Sequence, residues 1–176
     1  MAVVINGNGA VTGLTALPDS AMAEGSVIQT VSVLKNDSFS TTSSSFVDIT
    51  GFTLDITPQS TSSKILIFST FAWGNNVNTN ASCEANLVRV LGGSATNLAQ
   101  PANSGATVVL SNPNSNLIFT TGRGDFIFLD SPNTTNTVTY KWQTKSDGSA
   151  TTFINTRSVD NNLDQSATIT AMEITN

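Results

Sequence analysis

The stretch Lys64–Trp73 reads KILIFSTFAW. Successive side chains of a strand point to opposite faces. Ile65, Ile67, Phe71 and Trp73 therefore fall on one side, and Leu66, Phe68 and Ala72 on the other. A strand apolar on both sides has to be covered on both. In a two-layer β domain one side meets the opposing sheet, and the other needs a helix, a loop or another subunit. The chain offers no helix for this, because no stretch of about 11 residues keeps an apolar i, i+3, i+4, i+7 repeat. The best helical candidate is residues 18–25, PDSAMAEG, one or two turns at most. Another copy of the same chain is the economical cover.

Working outward, further strands recur at short, regular spacing. A strand starts near Ser26 in GSVIQTVSVLK. FVDIT and FTLDIT flank Gly51 and read as two short strands or one bent strand, ended by Pro58. EANLVRVL (84–91), ATVVL (106–110), NLIFTT (116–121), DFIFLD (125–130), TVTYKWQT (137–144), ATTFINT (150–156) and SATITAMEI (166–174) complete the series. In TVTYKWQT the alternation puts Val138, Tyr140 and Trp142 inward. In the last strand Ile169 and Ala171 share one face and Met172 and Ile174 the other. GRG between the 116–121 and 125–130 strands suggests a hairpin, with Gly124 supplying a positive φ. Many short strands without crossover helices predict an all-β, antiparallel sandwich or jelly roll, with an up-and-down barrel as the alternative.

Composition bounds what such a domain does. With 176 residues the chain has room for one domain and a short appended segment. Charged residues make up 11%, and Ser, Thr and Asn carry the solubility instead. The net charge of −5, with the basic residues scattered singly, argues against a nucleic-acid partner. No apolar run reaches the ~18 residues of a membrane span. Cys83 is the lone cysteine and reads as a small buried side chain. No secretion signal is read at the front, so the Asn36, Asn80 and Asn133 sequons are taken as unglycosylated.

Catalytic sets are scarce. The absence of histidine removes the commonest general base and most zinc sites. Asp125, Asp130, Asp147, Asp160, Asp164 and Glu173 hold the carboxylates that a glycosidase would need, and all read more simply as turn and edge residues. DNNLD (160–164) is rich in oxygen ligands but lacks a calcium-loop pattern. The expectation is a non-enzymatic protein with no cofactor and no metal. A surface rich in Asn, Thr and Ser suits sugar hydroxyls, and Trp73, Asn75, Asn76 and Asn133 are the candidate glycan contacts. The simpler reading of Trp73 and Trp142 is core.

Residues 1–25 open with VVINGNGAVTGLTALP (3–18), whose small apolar side chains have no helical period. Three sections of the chain, INGNGAVTGLTALP (5–18), ITGFTLDITPQSTSSKILI (49–67) and SATITAMEI (166–174), resemble short appendage proteins of tailed bacteriophages, especially marine, cyanophage-type ones. The pattern also resembles trimeric C1q/TNF-type jelly rolls. The resemblance implies a homotrimeric virion protein, a tail-fibre head or a capsid-surface decoration, made in the bacterial cytoplasm without an export signal. Its partners would be other virion proteins and a host surface glycan. On this reading residues 1–25 are a stem or docking segment burying Val3, Val4, Ile5, Val11, Leu14 and Leu17. Residues 26–176 are the head, and Leu66, Phe68, Phe71, Met172 and Ile174 are the expected subunit interface.

Overall fold

The computed structural model describes residues 4–5, 11–12, 22–77, 81–102, 105–112, 121–146, 150–157 and 164–176. In chain order the strands are β1 (Val4–Ile5), β2 (Val11–Thr12), β3 (Val27–Lys35), β4 (Phe39–Thr41), β5 (Val47–Ile56), β6 (Lys64–Asn75), β7 (Ala81–Leu91), β8 (Ser94–Asn97), β9 (Val108–Asn112), β10 (Gly122–Asp130), β11 (Val138–Lys145), β12 (Thr152–Ile154) and β13 (Ala167–Ile174). No helix occurs among the described residues. Of the helical candidate, residues 18–21 lie outside the described residues, and Glu24–Gly25 form a turn with Gly25 at φ 84°. Residues 116–120 of the expected 116–121 strand also lie outside them.

Two antiparallel sheets face each other. In the first, β3, β13, β6 and β10 lie side by side, and β12 and β4 extend the far end of β6. In the second, β5, β11 and β7 lie side by side, and β8 and β9 share the outer edge of β7. The chain crosses between sheets at β3–β5–β6–β7 and again at β10–β11–β13, which is jelly-roll winding. The fold class read from the strand pattern is the one observed. β1 and β2 pair with each other, Val4 opposite Thr12 and Ile5 opposite Val11, as a separate two-stranded unit. The head is tied together before residue 26: Gly25 N–H donates to Thr175 O, and Ser26 N–H donates to Ala23 O.

The interior is built on β6 and β11. Ile65, Ile67, Phe71 and Trp73 line the inner face of β6, and Val138, Tyr140 and Trp142 that of β11. The Trp142 ring meets Phe71 at 5.2 Å and Phe126 edge-on at 5.8 Å. Such pairs add ~0.5–1.5 kcal/mol beyond their buried area. β10 fits this wall by alternating size: Gly122 lies opposite Trp73, Gly124 opposite Phe71, and Phe126 opposite Ser69. The GRG segment is therefore not a hairpin turn. Gly124 sits within a strand, and what it supplies is an absent Cβ rather than a positive φ. A Cβ on Gly122 would stand 2.1 Å from Trp73 Nε1, and one on Gly124 3.0 Å from Phe71 Cζ. The FVDIT/FTLDIT pair is one strand, β5, irregular opposite Lys141–Gln143, with Gly51 at φ 76°.

The outer face of the second sheet is covered by the chain itself or is polar. Asn86 Oδ1 accepts from Thr107 N–H and Gln100 Nε2, so a loop folds across β7 and buries Val88. Along β11, Lys141 pairs with Asp48 at 2.7 Å and Lys145 with Glu84 at 3.0 Å. Partial burial raises the Asp48 carboxyl, but the bonds from Lys141 and Gln143 win and hold it below the usual carboxylate value.

Two outcomes follow from this packing. Gly122→Ala lowers unfolding stability in urea by about 1–3 kcal/mol through overpacking against Trp73. Gly105→Ala, where a Cβ meets open space, stays within about 0.5 kcal/mol of the parent. A depressed folded-state pKa at Asp48 stabilises the protein above the unfolded carboxylate value, near ~3.9, and that contribution is lost as pH falls through the folded value. Urea titrations at falling pH therefore show a stability loss that is smaller in Asp48→Asn; an equal loss in both contradicts the pairing.

Candidate functional site

The outer face of the first sheet differs from that of the second. Strand register sets out its rows. Leu129, Leu66 and Met172 lie side by side across β10, β6 and β13, and Ile127, Phe68 and Thr170 form the next row. Ile127 is 63% exposed, Leu129 47% and Phe68 37%. Leu66, Met172 and Ile174 are half-buried. At the β3 edge a bulge beside Ile174 turns Val27 outward. Val27 and Leu34 are both exposed. Adjacent apolar side chains on three paired strands make a continuous patch, the kind of surface that marks an interaction site.

Charges on this face lie only at its ends. Lys64, Arg123 and Asp125 are the charged side chains on the outward positions of the four main strands among the described residues. Arg123 reaches Gln165 and Thr70. The side chains of Lys64 and Asp125 have no hydrogen bond or ion pair among the described residues.

The expected interface residues divide. Leu66, Phe68, Met172 and Ile174 sit on the outer face. Phe71 does not: it has the opposite parity on β6, is fully buried, and packs on Phe52 and Trp142. Ile127 and Leu129 join this face from β10, where the expected interface has no residue: taking DFIFLD as one arm of a hairpin hides the alternation that turns both outward. Val3, Leu14 and Leu17 of the docking set lie outside the described residues. For Val4, Ile5 and Val11 only the strand pairing is described.

The glycan set does not form a platform. Trp73 is 4% exposed, its ring held over Gly122 inside the sandwich, and Asn75 is 2% exposed. Asn76 is exposed, but its amide is occupied by Thr151, accepting from Thr151 N–H and donating to Thr151 Oγ1. Asn133 holds a turn at φ 52°, its Nδ2 donating to Ser131 O. It follows Asp130, which pairs with Ile65, whereas Trp73 pairs with Gly122 at the other end of the strand.

The carboxylates follow the same logic. Asp130, Ile65 and Glu173 lie in one row across three strands, all facing inward. Asp130 accepts from Arg89 at 2.8 and 3.1 Å and from the Tyr140 hydroxyl at 2.7 Å, which clamps the two sheets together. Burial, then this carboxylate, push the Tyr140 hydroxyl far above its usual value. Glu173 Oε1 accepts from Gln59 N–H at 2.7 Å. Buried Ile65 stands between the two acids, and the second oxygen of Glu173, Oε2, is buried without a hydrogen-bond partner among the described residues. Asp125 and Asp164 are exposed, and Asp147, Asp160 and most of DNNLD lie outside the described residues. No cluster of three metal-binding side chains occurs among the described residues. Cys83 is buried beside Thr144, and burial pushes its thiol up to about 12.

No protein-family model matches the chain, and no curated protein matches it. Among solved structures, similar chains include infectious bursal disease virus, Gx strain, with 13% identity and a TM-score of 0.39 over 84% of this chain and 38% of that one. The VP2 subviral particle of the same virus gives 12% identity and a TM-score of 0.40, again over 84% and 38%. This chain thus spans well under half the length of the viral chains that it matches.

Proposed function

We propose that this chain is a non-enzymatic structural protein of a tailed-phage virion. Residues 1–25 anchor it and the jelly-roll head is carried outward, on the tail or on the capsid surface. The observation that carries this reading is the outer face of the first sheet. The other outer face is wrapped by the chain's own loop and laced with ion pairs. This one leaves Phe68, Ile127 and Leu129 in contact with water. A surface of that kind is suited to a protein that works by assembly. The sequence resemblance to phage appendages supports the virion setting, and it implies three copies. What the face itself requires is a covering surface.

The front segment is the anchor on this reading because its apolar side chains are too few and too scattered to bury one another, and a lone two-stranded pair is at best marginally stable in water. It joins the head at Ala23–Ser26, pinned to Thr175. Mass spectrometry of purified particles of the phage encoding this sequence detects the chain. A chain lacking residues 2–21 keeps the β spectrum and cooperative unfolding of the head but does not enter particles. A particle free of the chain, or normal uptake of the truncated form, overturns the proposal.

A further inference from the structure

We propose that the cover of this face is the same face of a second copy, related to the first by a two-fold axis. The proposal rests on the assembly reading above and names the partner. Closed homo-oligomers need either one self-complementary patch, which pairs about a two-fold, or two different complementary patches, which build a ring. Among the described residues the exposed large apolar side chains gather on one face; Val109, on β9, stands apart from them. One patch fits the two-fold.

The charges give the direction. Lys64 begins β6 at one end of the face, and Asp125 stands opposite Thr70 near the other. Six residues of strand separate the two rows, roughly 20 Å. Neither side chain has a partner among the described residues. A two-fold axis running across the strands, midway between these rows, sets Lys64 of each copy against Asp125 of the other. The same operation lays the Leu66 row on the neighbour's Phe68 row, so apolar side chains meet apolar side chains. Lys64 and Asp125, opposite charges at the two ends of the apolar Leu66 and Phe68 rows, are complementary to themselves in this orientation and in register; Arg123, the third charge on the face, lies beyond Asp125 and is engaged by Gln165 and Thr70. The chain as a whole carries −5, so two copies repel elsewhere, and the contact belongs on the face where that excess is absent.

Sedimentation of the full chain tests this. The parent sediments at about 37 kDa, twice the 18.4 kDa chain. Lys64→Asp and Asp125→Lys each weaken self-association by about tenfold, since each removes both symmetry-related pairs. The double variant recovers most of the loss. Phe68→Asp gives a folded monomer by circular dichroism, and Val109→Asp changes nothing. A monomer at every concentration overturns the two-fold, as does a 55 kDa trimer or a double variant as weak as the sum of the singles. Capture of the face by the chain's own residues 1–21 or by another virion protein would appear as that monomer. The virion reading stands or falls separately, on whether the chain is found in particles.

Discussion

The constraint on which this structure depends is the double-sided character of β6. Ile65, Ile67, Phe71 and Trp73 cannot face water, and they close the interior with Trp142 and Tyr140 of the opposing sheet. Leu66 and Phe68 are on the same strand and point the other way. A jelly roll has only two layers, so the strand that organises its core also presents apolar side chains outside it. β10 and β13 add Ile127, Leu129 and Met172 alongside.

The two outer faces show what the chain does when it has to finish a surface by itself. Over β7 it spends a loop, anchored on Asn86 and Thr107, and buries Val88 beneath it. Along β11 it alternates Lys141, Gln143 and Lys145 with the inward aromatics and pairs them across strands. Among the described residues neither device is used on the outer face of β6. Polar groups buried between the sheets are handled differently again: Asp130 is bonded to Arg89 and Tyr140, so that two strands of one sheet hold an acid of the other. Burying that carboxylate is tolerable because both its oxygens accept hydrogen bonds, and the Arg89 guanidinium balances its charge.

The sandwich was legible because its signals are periodic. β3, β6, β11 and β13 could be drawn from alternation alone, and the two-sided strand pointed to an uncovered face. Which residues belong to that face was only partly legible. Parity had already placed Phe71 with Ile65 and Ile67, so grouping it with Phe68 mixed two faces of one strand. The same parity applied to DFIFLD gives Ile127 and Leu129 outward and Phe126 and Phe128 inward, a signal present in the sequence and not used. GRG misleads because glycine has two meanings: conformational freedom in a turn, or an absent side chain beneath a ring. Only the partner strand distinguishes them, and Trp73 and Phe71 lie on that partner. The burial of Asp130 and Glu173 depends on long-range partners in the same way, and no local pattern marks it.

Hydroxyl-radical footprinting of the full chain measures cover on this face directly, whatever provides it. Phe68, Ile127, Leu129 and Met172 are predicted to label slowly at high protein concentration and to gain reactivity on dilution, while Val109 reacts equally at both. Labelling of the four at rates set by their single-chain exposure, unchanged with concentration, would contradict a self-covered face.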